Sequence, residues 1–148
     1  MGLVGRGVFA LVRWRSRKGL SGGATGRESG RGTGVRGETF AYWFLRRHGY
    51  VLVARNYQVP GLKGEIDLVG YDGDELAFVE VKTRSGDDAT PEDAITPDKR
   101  RVLARMARAF LAERRLEHVT WRFDVMAIRT RAGQAPEVRL HKAAFGDA

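Results

Sequence analysis

With 148 residues, 43% apolar and 9% aromatic, the chain is the size of one compact domain with its own core, and two full domains would not fit. Its 26 Lys and Arg against 18 Asp and Glu leave a formal +8, yet eight basic residues and one acidic residue fall within 1–36. Residues 37–148 therefore carry only +1, and net charge in the body does not by itself call for a polyanionic partner. Without cysteine there are no disulfides, thiolate metal sites or thiol nucleophiles. The apolar run 8–12 stops at Arg13, far short of the ~20 residues that span a bilayer, so a cytoplasmic protein with no membrane partner is expected.

Residues 1–36 hold ten of the 19 glycines and few apolar side chains, and they read as a flexible, basic Gly/Arg-rich tail ahead of a domain over 37–148. From Gly37 the pattern becomes globular. Phe40, Ala41, Phe44 and Leu45 recur at helical spacing and Gly49 supplies a stop, predicting a helix over 37–48. Strands are expected over 50–57, 66–71 and 76–82, the last two joined by Asp72-Gly73-Asp74-Glu75, which has hairpin-turn chemistry. After a polar loop over 84–94, Thr96 and Pro97 form an N-cap and first-turn signal for a helix of about 20 residues with Val102, Leu103, Met106, Phe110 and Leu111 on its buried stripe. Strands over 120–129 and 137–141 close the chain. The order predicts an α/β or α+β fold with a mixed central sheet flanked by helices.

The chemistry concentrates in Gly64-Glu65-Ile66-Asp67-Leu68-Val69 and Phe78-Val79-Glu80-Val81-Lys82. Side chains alternate along a strand, so Glu65 and Asp67 share a face, as do Glu80 and Lys82. If Gly73-Asp74 is a two-residue loop, position i pairs with 147 − i, which sets Asp67 opposite Glu80 and Glu65 opposite Lys82. Opposed carboxylates on largely apolar strands repel and need neutralising, which a hard cation such as Mg²⁺ or Mn²⁺ does through oxygen ligands. Charge pattern alone leaves a second reading open, in which Glu65 and Lys82 form a cross-strand ion pair and Asp67 and Glu80 are solvated. Only five of the 26 basic residues are Lys, so Lys82 is not the default choice of this Arg-rich chain. Lys99 and Arg100 open the long helix, where cations oppose the dipole, and with Arg84 they are expected to contact phosphate. Asp124 reads as an ion-pair partner, and His48, His118 and His141 as structural or surface groups.

Asp67 followed after twelve residues by Glu80-Val81-Lys82 resembles the D…ExK core of the PD-(D/E)xK, or restriction-endonuclease-like, nucleases. The flanking string Gly37-Glu38, Ala41, Leu45, Gly49-Tyr50, Arg55-Asn56-Tyr57, Gly64 to Leu68, Phe78 to Arg84, Lys99 and Arg122-Phe123-Asp124-Val125 resembles the YraN-like family of small bacterial proteins, over roughly 37–146. The resemblance implies a restriction-endonuclease-like fold and a metal-dependent endonuclease acting on nucleic acid, DNA before RNA. It also implies that Asp67, Glu80 and the Val81 carbonyl hold Mg²⁺ or Mn²⁺, and that Lys82 orients or deprotonates the attacking water. Glu38 would be an auxiliary acid, and Glu65 more a structural than a direct contact. Branched DNA and a homodimer are further expectations, from resemblance to junction resolvases. The alternative is a nucleic-acid-binding module on a nuclease-like scaffold without turnover.

Overall fold

The computed structural model describes residues 10–13, 30–85 and 95–145. Residues 86–94 of the expected polar loop, and 1–9 and 14–29 of the expected tail, lie outside them. Along the chain run β1 (Ala10–Arg13), α1 (Gly30–Arg47), β2 (Val51–Tyr57), β3 (Ile66–Asp72), β4 (Glu75–Ser85), α2 (Pro97–Glu113), β5 (Trp121–Thr130) and β6 (Glu137–Phe145). The strands form one six-stranded sheet in the order β1-β6-β5-β4-β3-β2, in which β4 and β5 are parallel and every other pair is antiparallel. A parallel pair needs a crossover, and α2 supplies it between β4 and β5. The sheet is thus mixed, as expected.

One helix covers each face. On one side Ala41, Phe44 and Leu45 of α1 pack on Leu68, Ala77, Val79, Met126 and Ile128. On the other, Leu103, Met106, Phe110 and Leu111 of α2 pack on Ile66, Val69, Leu76, Phe78 and Phe123. The alternation of β4 is visible in this division: Ala77 and Val79 face α1, while Leu76 and Phe78 face α2. Sheet residues buried on both faces explain the near-continuous apolar runs of β3 and β4.

The hairpin register is the one the turn predicts. Leu68↔Val79, Val69↔Phe78, Gly70↔Ala77, Tyr71↔Leu76 and Asp72↔Glu75 all obey 147 − i, around a turn in which Gly73 takes φ +62°. A left-handed position there suits glycine. Thr96 caps α2 as expected, its hydroxyl accepting from the Lys99 N–H at 3.2 Å, with Pro97 in the first turn.

Helix ends depart from expectation in two places. Helix α1 begins at Gly30 rather than at residue 37, so its first turns come from the stretch assigned to the tail. Glycine favours no helix, but adding residues to a helix already packed on a sheet costs far less than nucleating one. Helix α2 stops at Glu113, after 17 residues and short of the length expected. The Leu116 N–H donates to the Leu111 carbonyl at 2.8 Å and the Arg115 N–H to that of Ala112 at 3.2 Å, with Arg115 at φ +55°. Helix α1 ends on the same pair of bonds, Tyr50 to Leu45 and Gly49 to Arg46, with Gly49 at φ +89°. Gly49 announces its stop in the sequence; an arginine in the same conformation announces nothing.

A polar network ties the turn end of the sheet together. The Arg122 guanidinium donates to Asp72 at 2.7 Å, to Glu75 and to Asp124 at 2.8 Å. Asp124, fully buried, also accepts from the Tyr50 hydroxyl at 3.1 Å and the Ala143 N–H at 3.0 Å. The last bond depends on an irregularity in the β5–β6 ladder that leaves Ala143 at φ +50°. Asp124 is therefore an ion-pair partner. Burial, together with the Asp124 charge, pushes the Tyr50 hydroxyl well above its ordinary pKa.

Candidate metal centre

The opposite end of the β3–β4 hairpin carries the acids. The ladder's last regular pair is Leu68↔Val79, and beyond it Asp67 takes over from the backbone: its Oδ2 accepts the Val81 N–H at 2.7 Å. Extended one step, the same register would set Asp67 opposite Glu80, and the Glu80 charge does act on Asp67. Both are buried, Glu80 being 5% exposed. Glu80 shares the α2 side of β4 with Phe78, which is why a lysine from α2 can reach it.

Helix α1 contributes the next acid through a close approach. A Cβ on Gly37 would lie 2.0 Å from Thr83 Oγ1 of β4, a stiff β-branched neighbour that cannot swing clear, so only glycine lets the helix sit this near. The following residue, Glu38, is thereby set beside the end of β3. Glu65, immediately before β3, follows Gly64 at φ +102° and accepts from Gln58 Nε2 at 3.1 Å. Carboxylate oxygens of Glu38, Glu65 and Asp67 lie within 4.8 Å of one another.

The electrostatics record the crowding. Burial first, then the Glu80 charge, push the Asp67 carboxyl up to about 8; the Val81 N–H pulls the other way, and Glu38 and Glu65 add to the rise. Glu38 is likewise raised, by burial, then by Glu65 and Glu80, with Arg55 opposing. Glu80 Oε1 meets Lys99 Nζ at 2.7 Å and Lys82 Nζ at 3.3 Å. Burial works against the Lys99 charge, but its hydrogen bond with Glu80 and that acid's charge hold its pKa above the ordinary value. Glu80 Oε2 is buried and has no hydrogen-bond partner among the described residues. A buried carboxylate oxygen left unpaired is costly and calls for a partner. Four acids that repel one another, three of them with oxygens in mutual reach, make an all-oxygen donor set of the kind a hard divalent cation accepts.

The structure thus gathers Asp67, Glu80, Lys82, Glu38 and Glu65 around Val81. Lys99 lies with them as the partner of Glu80. Arg100 does not: successive helix positions point about 100° apart, and its guanidinium stacks 5.2 Å from the Phe145 ring, at a cavity of about 220 Å³ also lined by Ile95, Val125 and His141. Arg84 is exposed and donates to its neighbour's carbonyl, that of Thr83, at 3.0 Å. Sequence reasoning left three contributors unassigned: Gly37 as the spacer that admits α1, Thr83 beneath it, and Arg55, which acts on Glu38 from β2.

The raised Asp67 pKa makes a signed prediction. Between 3.8 and about 8 the folded protein keeps a proton that the unfolded chain releases, so the stability of the metal-free protein falls as pH rises through that window. Asp67→Asn keeps an acceptor for the Val81 N–H and removes the buried charge. In EDTA, calorimetric melting should show the variant matching the wild type near pH 4 and melting on the order of 5 °C higher by pH 9. Parallel curves across the range would mean that the Asp67 proton is not held by the fold.

Comparison with known proteins places this arrangement. Among the described residues, no helix is long and apolar enough to cross a membrane. A UPF0102 protein of Koribacter versatilis is 45% identical over 114 residues, covering 76% of this chain and 78% of its own. One from Geobacter metallireducens is 42% identical over 113 residues, covering 76% and 90%, and one from Symbiobacterium thermophilum is 42% identical over 116 residues, covering 78% and 97%. The family model described as "Uncharacterised protein family UPF0102" matches residues 37–128, the span that runs from the glycine admitting α1, through every acid of the cluster, to near the end of β5. The chain belongs to the UPF0102 family, the YraN family that its motif string resembles.

Proposed function

We propose that the chain is a metal-dependent phosphodiesterase that hydrolyses nucleic acid, DNA ahead of RNA, in the bacterial cytoplasm. The observation that carries this reading is the hairpin end where Glu38, Glu65 and Asp67 gather while the neighbouring Glu80 keeps one buried oxygen unpartnered beside Lys82. Acids held in a state that burial and mutual repulsion disfavour mark a functional site more often than a structural one. Mg²⁺ or Mn²⁺, when bound, would supply Lewis acidity toward a phosphate oxygen. Asp67, Glu80 and the Val81 carbonyl would hold it, with Glu38 and Glu65 as auxiliary carboxylates. Lys82 Nζ orients the attacking water and offsets charge on the phosphate, and Lys99 keeps Glu80 oriented through their ion pair. The water oxygen forms the new bond to phosphorus, the bond to the leaving sugar oxygen breaks, and the water's proton ends on that oxygen or in solvent. Arg84, exposed at the end of β4, is placed for a flanking phosphate.

One observation favours a second reading, a nucleic-acid-binding module without turnover: Lys82 and Lys99 already offset the Glu80 charge. A cleavage screen over duplex, flap, four-way-junction and single-stranded substrates, with Mg²⁺, Mn²⁺ or EDTA, separates the two. Hydrolysis of at least one substrate only with a cation present is expected. Tight binding of all of them with no cut product would establish the module. Running the screen beside sedimentation tests the homodimer and the branched substrate that junction resolvases suggest.

A further inference from the structure

A second surface begins where the acid cluster ends. On α1, Tyr42 and Arg46 lie four and eight residues beyond Glu38, hence on the same stripe of the helix and about 6 and 12 Å further along its axis. The Arg46 guanidinium lies 5.7 Å from the Tyr42 ring centroid and 5.3 Å from that of Trp43, and Arg55 of β2 lies 4.5 Å from Tyr42. Tyr42 and Trp43 meet edge to face at 5.3 Å. Trp43 is 54% exposed, a large apolar area to leave in water. Neither Arg46 nor Arg55 forms a salt bridge among the described residues, so both charges are stacked on rings and open to an anion. Arg55 also lies beside the site, since on β2 it is in register with Leu68, the neighbour of Asp67.

We infer that Tyr42, Trp43, Arg46 and Arg55 form a stacking platform that leads an unpaired strand of nucleic acid into the acid cluster, so that the substrate carries a single-stranded stretch beside the phosphate to be cut. The inference rests on the phosphodiesterase reading and narrows its substrate class. Exposed aromatic faces accept any base, and guanidinium groups between them take the backbone phosphates, which is how proteins hold single strands without reading sequence. In a duplex the base faces are already stacked on one another. Addition of a protein strand to the neighbouring sheet edge is disfavoured by the bulge in β2 between Leu52 and Ala54, since an irregular edge resists pairing.

The test uses fluorescence anisotropy with a labelled single-stranded oligonucleotide and the same sequence as a blunt duplex, both in EDTA so that nothing is cut. Full-length wild type, Trp43→Ala and Arg46→Gln are compared; both side chains are exposed, so neither change removes core. Each variant should weaken single-strand binding about five- to 100-fold while changing duplex binding less than about twofold. The arginine variant should also lower the slope of log affinity against log salt by about one. Oligonucleotide should quench tryptophan emission in the wild type more than in Trp43→Phe. If the wild type binds and cuts nucleic acid but both variants match it on single strands, the platform is wrong and the phosphodiesterase reading stands. If the wild type neither binds nor cuts, both fall. Equal losses on duplex and single strand, or a dimer that Trp43→Ala dissociates with oligonucleotide affinity unchanged, would also overturn the platform.

Discussion

Asp67→Ala is expected to show no measurable heat in a Mn²⁺ titration in which the wild type binds, and to cleave no substrate. Its carboxylate is where the hairpin opens, held by the Val81 N–H and in reach of both Glu38 and Glu65, so its removal takes away the group common to the whole donor set. A loss above ~100-fold is expected, because even an outer partner of a metal ligand typically contributes 10- to 100-fold. Lys82→Ala should behave differently. Lys82 Nζ touches Glu80, and its charge repels a cation, so metal affinity should stay level or improve slightly. Cleavage should nevertheless fall by about 10²- to 10⁴-fold, the usual worth of a group that prepares a nucleophile. Mn²⁺ affinity in Asp67→Ala equal to that of the wild type would place the metal elsewhere, and an active Lys82→Ala would take the lysine out of the chemistry.

On β5, Asp124→Ala should cost about 3–5 kcal/mol in denaturant unfolding without weakening Mn²⁺ binding. Asp124 is fully buried and accepts from Arg122, the Tyr50 hydroxyl and the Ala143 N–H. Truncation leaves the buried Tyr50 hydroxyl and the part-buried Ala143 N–H without this acceptor and removes one of three carboxylates facing the guanidinium, the others being Asp72 and Glu75. Asp124 is in register with Val79, next to Glu80, but it bonds Tyr50 of the α1-side core while Glu80 shares the α2 side of β4 with Phe78, so the sheet separates the two carboxylates and the metal site should not register the loss. Asp124→Asn, which keeps an acceptor, should lose less. A cost under about 1 kcal/mol for the alanine variant would show that the network is solvated in a way the buried geometry does not allow.

The sequence by itself determined what local chemistry and short separation control. The turn at Gly73-Asp74 and period-two alternation set the 147 − i register, and with it the pairing of the Asp67 segment with the Glu80 segment. Thr96 and Pro97 marked the start of α2 and Gly49 the end of α1, because caps and left-handed stops act within a turn of the helix. What only the tertiary structure decided lies between elements far apart in the chain. Glu38 reaches Asp67 because Gly37 lets α1 settle on Thr83, 46 residues away, and no periodicity in either segment encodes that approach. Lys99 and Arg100 read alike as helix-opening cations, but packing sends one to Glu80 and the other to Phe145. Arg115 ends α2 in the conformation glycine would have signalled, because the packed helix and the turn to β5 hold it there. Register follows from backbone hydrogen bonds between neighbours; the meeting of four acids follows from how helices and sheet stack, which depends on every side chain between them.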